Sequence, residues 1–101
     1  MKQEITEINI TPIKPTNGLV AFASFVLDNK LYLGSIGIMT RPNGGFRLIY
    51  PTRKIGARDL NVFYPISKET GQEIETAIIN HFEKVVKIKD YVGHDNNATN
   101  K

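Results

Sequence analysis

Leu19-Val20-Ala21-Phe22-Ala23-Ser24-Phe25-Val26-Leu27, then Asp28-Asn29-Lys30, then Leu31-Tyr32-Leu33-Gly34-Ser35-Ile36-Gly37-Ile38-Met39, is the stretch that decides the fold. Residues 19–27 are uncharged and rich in β-formers, as a central strand is when both its faces are buried. Asp28-Asn29-Lys30 is a tight connection into a second strand, residues 31–39. There the apolar parity slips between Leu33 and Ile36, with Gly34 and Gly37 at or beside the slip. That combination predicts a bulge or a bend.

Working outward, residues 4–11 alternate, with Ile8 and Ile10 on one face and Glu7, Asn9 and Thr11 on the other. Pro12, Pro15 and Asn17-Gly18 then predict the end of that strand and a turn. Downstream, Arg41-Pro42-Asn43-Gly44-Gly45 is a turn signal, and Phe46–Tyr50 returns as a fourth strand. Residues 51–61 read as a basic loop, and Val62-Phe63-Tyr64 as a short extra strand before Pro65. Ser67 has the position of a helix N-cap, with Glu69 placed to favour the helix dipole. Ile74, Ala77, Ile78, Phe82 and Val85 recur at helical spacing, which predicts a helix to about residue 86. The polar segment 89–101 reads as a disordered tail, since it lacks the apolar residues to offset its ordering entropy. The expected fold is α+β: one domain over residues 1–88, an antiparallel sheet of four to five strands followed by one C-terminal amphipathic helix. One helix covers one face of a sheet, so the other face or an edge calls for a second copy of the chain.

Composition narrows the chemistry. The chain has 101 residues, with 41% hydrophobic and 23% charged, the usage of one globular domain. It has no Cys, which removes disulfides, thiolate nucleophiles and Cys-ligated metal sites. No apolar run approaches the roughly 20 residues that span a bilayer, and the N-terminus does not read as a signal peptide. The expectation is a cytoplasmic protein with no membrane partner, no cofactor and no metal. There is no nucleophile elbow, dinucleotide fingerprint or phosphate loop. Asn43-Gly44-Gly45 reads as a hairpin turn rather than a phosphate cradle. His81 lacks a carboxylate placed by spacing to orient it, and His94 falls in the polar tail. No enzyme activity and no small-molecule substrate are expected.

One asymmetry stands out. All four arginines, Arg41, Arg47, Arg53 and Arg58, fall within residues 41–58 together with Lys54, and no acidic residue stands between Asp28 and Asp59. That segment therefore carries +5, while the remainder carries eight Lys against ten acidic residues. Arginine suits forked phosphate recognition and stacking on bases. Phe46 and Tyr50 are interleaved with the cations, as a stacking platform requires. Two readings stand side by side: a polyanion-binding surface, or a solvated hairpin whose arginines pair with acids on the helix or on a partner subunit.

The sequence also resembles a family. Ile5-Thr6-Glu7-Ile8, Ala23-Ser24-Phe25-Val26-Leu27-Asp28, Asn43-Gly44-Gly45-Phe46, Tyr50-Pro51-Thr52-Arg53-Lys54 and Tyr64-Pro65-Ile66-Ser67 follow the order and approximate spacing of the bacterial stage V sporulation protein G (SpoVG, septation protein) family. The resemblance spans roughly residues 5–86. It implies a small α+β fold that dimerises through its strands and a nucleic-acid-binding regulator linked to septation, sporulation or the control of gene expression. The family's Pro-Ser-Lys-Arg segment matches Pro51-Thr52-Arg53-Lys54, with the basic pair in swapped order. Its His before the helix is replaced by Tyr64. Three of its basic positions fall on Gly37, Leu60 and Gly71, although Arg58 stands near Leu60.

The resulting expectation is a homodimer that binds DNA or RNA through Arg41, Arg47, Arg53, Lys54 and Arg58. The alternative is a protein-interaction module whose basic hairpin engages an acidic partner.

Overall fold

Asp28 and Asn29 both adopt left-handed backbone, φ +54° and +55°, and Lys30 N–H donates to the Leu27 carbonyl at 2.9 Å. Asp and Asn tolerate that conformation, and two such residues in a row match the twist of an antiparallel pair. They join β2 (Leu19–Leu27) to β3 (Leu31–Thr40). In this computed structural model the backbone is described for residues 3–100 and the side chains for residues 3–86. β1 (Ile5–Thr16) and β4 (Phe46–Ile49) flank the central pair, giving an antiparallel sheet ordered β1-β2-β3-β4. The α+β fold expected from the sequence is the one observed.

The expected bulge is present. Ala23 pairs with Ile36 and Phe25 with Leu33, so β3 spends one extra residue at Gly34-Ser35, where Ser35 takes φ +59°. β1 does the same at the same level of β2: Thr6 pairs with Val26 and Asn9 with Ser24, and Glu7 takes φ +50°. Two bulges opposite one short segment of β2 bend the sheet there and bring the apolar set back into phase on the core face.

Four element boundaries or assignments need correction. β1 does not stop at Pro12 but runs through Pro12 and Pro15 to Thr16, because β1 is an edge strand and an edge has no partner for the missing N–H. Residues 51–61 are not an irregular loop. They form a second, two-stranded sheet, β5 (Thr52–Ile55) with β6 (Arg58–Asn61). Val62–Tyr64 is not a strand. Val62 N–H donates to the Pro51 carbonyl at 3.0 Å and closes the hairpin base, and the Phe63 ring meets Tyr50 edge-on at 5.9 Å. The helix, α1 (Lys68–Asn100), continues past residue 86. Its apolar spacing marks the part that packs on the sheet, not the part with helical backbone, and no proline follows to stop it. The side chains of the polar tail lie outside those described.

The start of α1 is as read: Ser67 Oγ accepts the Thr70 N–H at 3.0 Å, and Glu69 sits in the first turn. From there Ile74, Ile78 and Phe82 are laid along one face against Ala21, Ala23, Phe25, Ile36 and Ile38. Phe82 meets Phe46 of β4 in a T-shaped contact at 4.9 Å. Phe25, Ile36, Ile38 and Ile78 are fully buried, each contributing about 1.5–3 kcal/mol. β2 is central as expected, but only its core face is covered in full. On its other face Phe22 remains 40% exposed.

Candidate functional site

The five cations singled out by the sequence occupy three different settings. Arg41 follows β3 at the β3–β4 turn. Its Nε donates to the Phe46 carbonyl at 3.0 Å, and its Nη2 lies 3.4 Å from Glu75 Oε2 on α1. Arg41 is therefore committed to the helix side, as one of the two sequence readings allowed. Such an exposed pair contributes little to stability, but it lowers the charge presented to a ligand.

Arg47 points the other way. β4 alternates, with Phe46 and Leu48 turned to the core and Arg47 and Ile49 exposed. Arg47 pairs with Met39, which pairs with Leu19, so these three share the sheet face opposite α1.

Arg53, Lys54 and Arg58 lie on the β5–β6 hairpin, all of whose strand residues are exposed. Gly56 opens its two-residue connection at φ +63°, a conformation that glycine takes without steric cost. Arg53 pairs with Leu60 and Ile55 with Arg58, so both arginines share one face with two apolar side chains. Lys54 pairs with Asp59 on the opposite face. The adjacent cations Arg53 and Lys54 thus point in opposite directions, a consequence of strand alternation that a loop reading does not contain.

Phe46 and Tyr50, read from the sequence as a stacking platform among the arginines, are otherwise engaged. Phe46 packs on Phe82, and Tyr50 is wedged against Phe63. Burial, and secondarily the negative charge of Glu75, pushes the Tyr50 hydroxyl up to about 12. That hydroxyl is also buried without a hydrogen-bond partner among the described residues. Among the described residues the aromatic rings that face solvent are Tyr32, 70% exposed, Tyr64 at 55% and Phe22 at 40%. Sequence reasoning passed over all three, and for Phe22 and Tyr32 the reason is that their alternation with neighbours is also that of a core strand.

The motifs, strand order and helix now stand together, and comparison with known proteins agrees with them. A family model described as SpoVG matches residues 3–84. This chain belongs to the SpoVG family. Relatives named "Putative septation protein SpoVG" include that of Finegoldia magna, 33% identical over 82 residues, covering 80% of this chain and 75% of the relative. That of Shouchella clausii is 26% identical over 87 residues, 86% of this chain and 89% of the relative. That of Treponema denticola is 28% identical over 82 residues, 80% and 87% of the two.

Against the SpoVG pattern, the three substituted basic positions have distinct surroundings. At Gly37 a Cβ would stand 2.9 Å from Leu19 Cδ1, so the Leu19 side chain occupies the space a longer residue would need. At Leu60 the hairpin face already carries Arg58 two residues away, as well as Arg53 opposite. At Gly71 a Cβ would meet Pro65 Cγ at 3.4 Å, an ordinary contact, so nothing local demands glycine. Of the three, Gly37 is thus the one whose space a neighbouring side chain fills, and Leu60 the one with arginines beside it. Among the described residues no helix is long and apolar enough to cross a membrane, and no group of three or more His, Asp or Glu side chains is arranged to hold a metal ion.

Proposed function

We propose that the protein is a non-catalytic, cytoplasmic, nucleic-acid-binding regulator that works as a homodimer, in septation or in gene-expression control linked to it. The observation that carries the reading is a +5 segment without a single carboxylate, from which Arg53 and Arg58 emerge on one face of an exposed hairpin. Arginines on a projecting ribbon meet phosphates bidentately and with little loss of packing. Arg47 adds a cation on the open face of the main sheet, and Lys54 one on the back of the hairpin. Arg41 is secondary in this reading because Glu75 already faces it. Phosphate contacts position without specifying, so the hairpin supplies affinity more than sequence choice. The name carried by the relatives supports the link to septation. A second copy of the chain is supported by the edges, β1 and β4, of the four-stranded sheet.

A second reading has its own observation. Ile55, Leu60 and Val62 are 54%, 42% and 58% exposed beside the arginines, a mixture suited to an acidic protein partner. Anisotropy titration of mixed DNA and RNA oligonucleotides at several salt concentrations separates the two. Phosphate binding gives a steep linear fall of log affinity with log salt, about 0.7–0.9 per phosphate neutralised. Absence of binding at low salt would overturn the nucleic-acid reading in favour of the protein partner.

A further inference from the structure

The sheet face turned away from α1 is not a second core. Phe22 and Tyr32 stand on it, 40% and 70% exposed, at either side of a shallow concavity. The floor between them is set by Asn9, Thr11, Ser24 and Ser35, short hydroxyl and amide side chains with no carboxylate among them. The bulges at Glu7 and at Gly34-Ser35 fall at this level, with Asn9 opposite Ser24 and Ser35 on the floor beside it. Arg47 stands on the same face, on β4 opposite Met39. Tyr32 pairs with Val26, four residues along β2 from Phe22, which separates the rings by roughly 13 Å in the strand direction.

We infer that this face binds single-stranded nucleic acid, with one base stacked on Phe22 and another on Tyr32, the hydroxyl and amide groups meeting base edges, and the strand's phosphates running toward Arg47 and the hairpin arginines. The inference rests on the nucleic-acid reading above and adds to it a surface and a substrate class. Every base has a π-face, so two exposed rings tolerate many sequences. In a duplex those faces are already stacked inside the helix and are closed to protein rings, so the aromatic contribution exists for single strands alone. The absence of carboxylate from the concavity keeps the floor compatible with a polyanion. A protein occupant, including a second copy of the chain, would have less use for a floor of small polar groups, since the centres of such interfaces are apolar.

The test compares wild type, Tyr32→Ala, Tyr32→Phe, Phe22→Ala and Arg53→Ala on labelled 20-nucleotide single-stranded DNA, the same sequence as RNA, and the corresponding duplex. Loss of either ring should weaken single-strand binding by about 5- to 100-fold. Duplex binding should change less than about 2-fold, the salt slope should stay put because no charge is removed, and Tyr32→Phe should bind like wild type. Arg53→Ala should weaken single strands and duplex alike. Tyr32 is so exposed that its variants should keep the wild-type melting curve, which guards against misreading a folding defect at Phe22. Equal effects of the aromatic variants on single strands and duplex, or no effect, overturn the inference while leaving the nucleic-acid reading intact. Loss of dimer by light scattering with unchanged nucleic-acid binding assigns the face to a second copy and also overturns it. A wild type that binds none of the three probes removes both readings together.

Discussion

β4 and β5 are each four residues long and separated only by Tyr50-Pro51, yet they live in different physical regimes. In β4 every second side chain enters the core: Phe46 meets Phe82, and Leu48 packs on the buried cluster. In β5 all four side chains are exposed, and among the described residues it pairs with β6 alone. The same covalent geometry therefore supports stability in one strand and charge display in the next. The difference arises from what lies opposite each strand: α1 crosses the sheet that contains β4, while the hairpin has no helix of its own. Residues free of packing duties are free to be basic.

The largest effect that sharpens this comparison comes from one truncation made in both regions. Ile78→Ala removes a fully buried side chain from α1 and should cost about 2–5 kcal/mol. Ile55→Ala makes the same chemical change on the hairpin, where the side chain is 54% exposed, and should move stability by no more than about 0.5 kcal/mol. Urea unfolding of the two variants measures both. Comparable losses would mean that the hairpin is packed against something in solution, and the contrast between the two strands would fail.

Tyr50 sits at the junction between the regions and gives an intermediate effect. Its hydroxyl, ordinarily near 10, is pushed up to about 12 mainly by burial, so the folded protein holds the proton more tightly than the unfolded chain. The associated stability is complete below pH 10, declines as pH rises and the unfolded state ionises first, and is gone above about pH 12. Thermal melts between pH 9 and 12 should show this decline, and Tyr50→Phe should flatten it. At neutral pH the same variant should be neutral or stabilising by up to about 1 kcal/mol, since it removes a buried hydroxyl without a partner. A clear loss of stability at neutral pH would mean that the hydroxyl is hydrogen-bonded after all.

Which parts of this were legible in the sequence follows the same division. Where side chains pack, the pattern reported it: the β2–β3 hairpin, the bulge at Gly34-Ser35 and the cap at Ser67 were all readable from spacing and residue type. Where they do not pack, the pattern was silent. Thr52–Ile55 and Arg58–Asn61 are exposed on both faces, so no apolar alternation marked them as strands. Pro12 and Pro15 misled because a proline reads as a breaker unless the strand is known to be at an edge. α1 outran its expected end because apolar spacing records contact, not backbone conformation. At the site, the basic cluster was visible as composition, but its division among three settings depended on contacts distant in sequence, such as Arg41 with Glu75. The exchange of stacking candidates, from Phe46 and Tyr50 to Phe22 and Tyr32, has the same origin. An aromatic residue that can stack on a base can equally fill a core, and only tertiary packing decides between them.

The smallest effect on stability should accompany a large effect on binding, at the two arginines of the hairpin. Arg53→Ala/Arg58→Ala removes two exposed cations from one face of the hairpin. Titrations across a salt series should give a log–log slope reduced by about 2 per subunit, with all sequences weakened about equally. Melting run in parallel should show stability unchanged within about 0.5 kcal/mol. Unchanged binding together with a lowered melting temperature would contradict the account, for it would make these arginines structural and the hairpin part of the fold's support rather than its contact with nucleic acid.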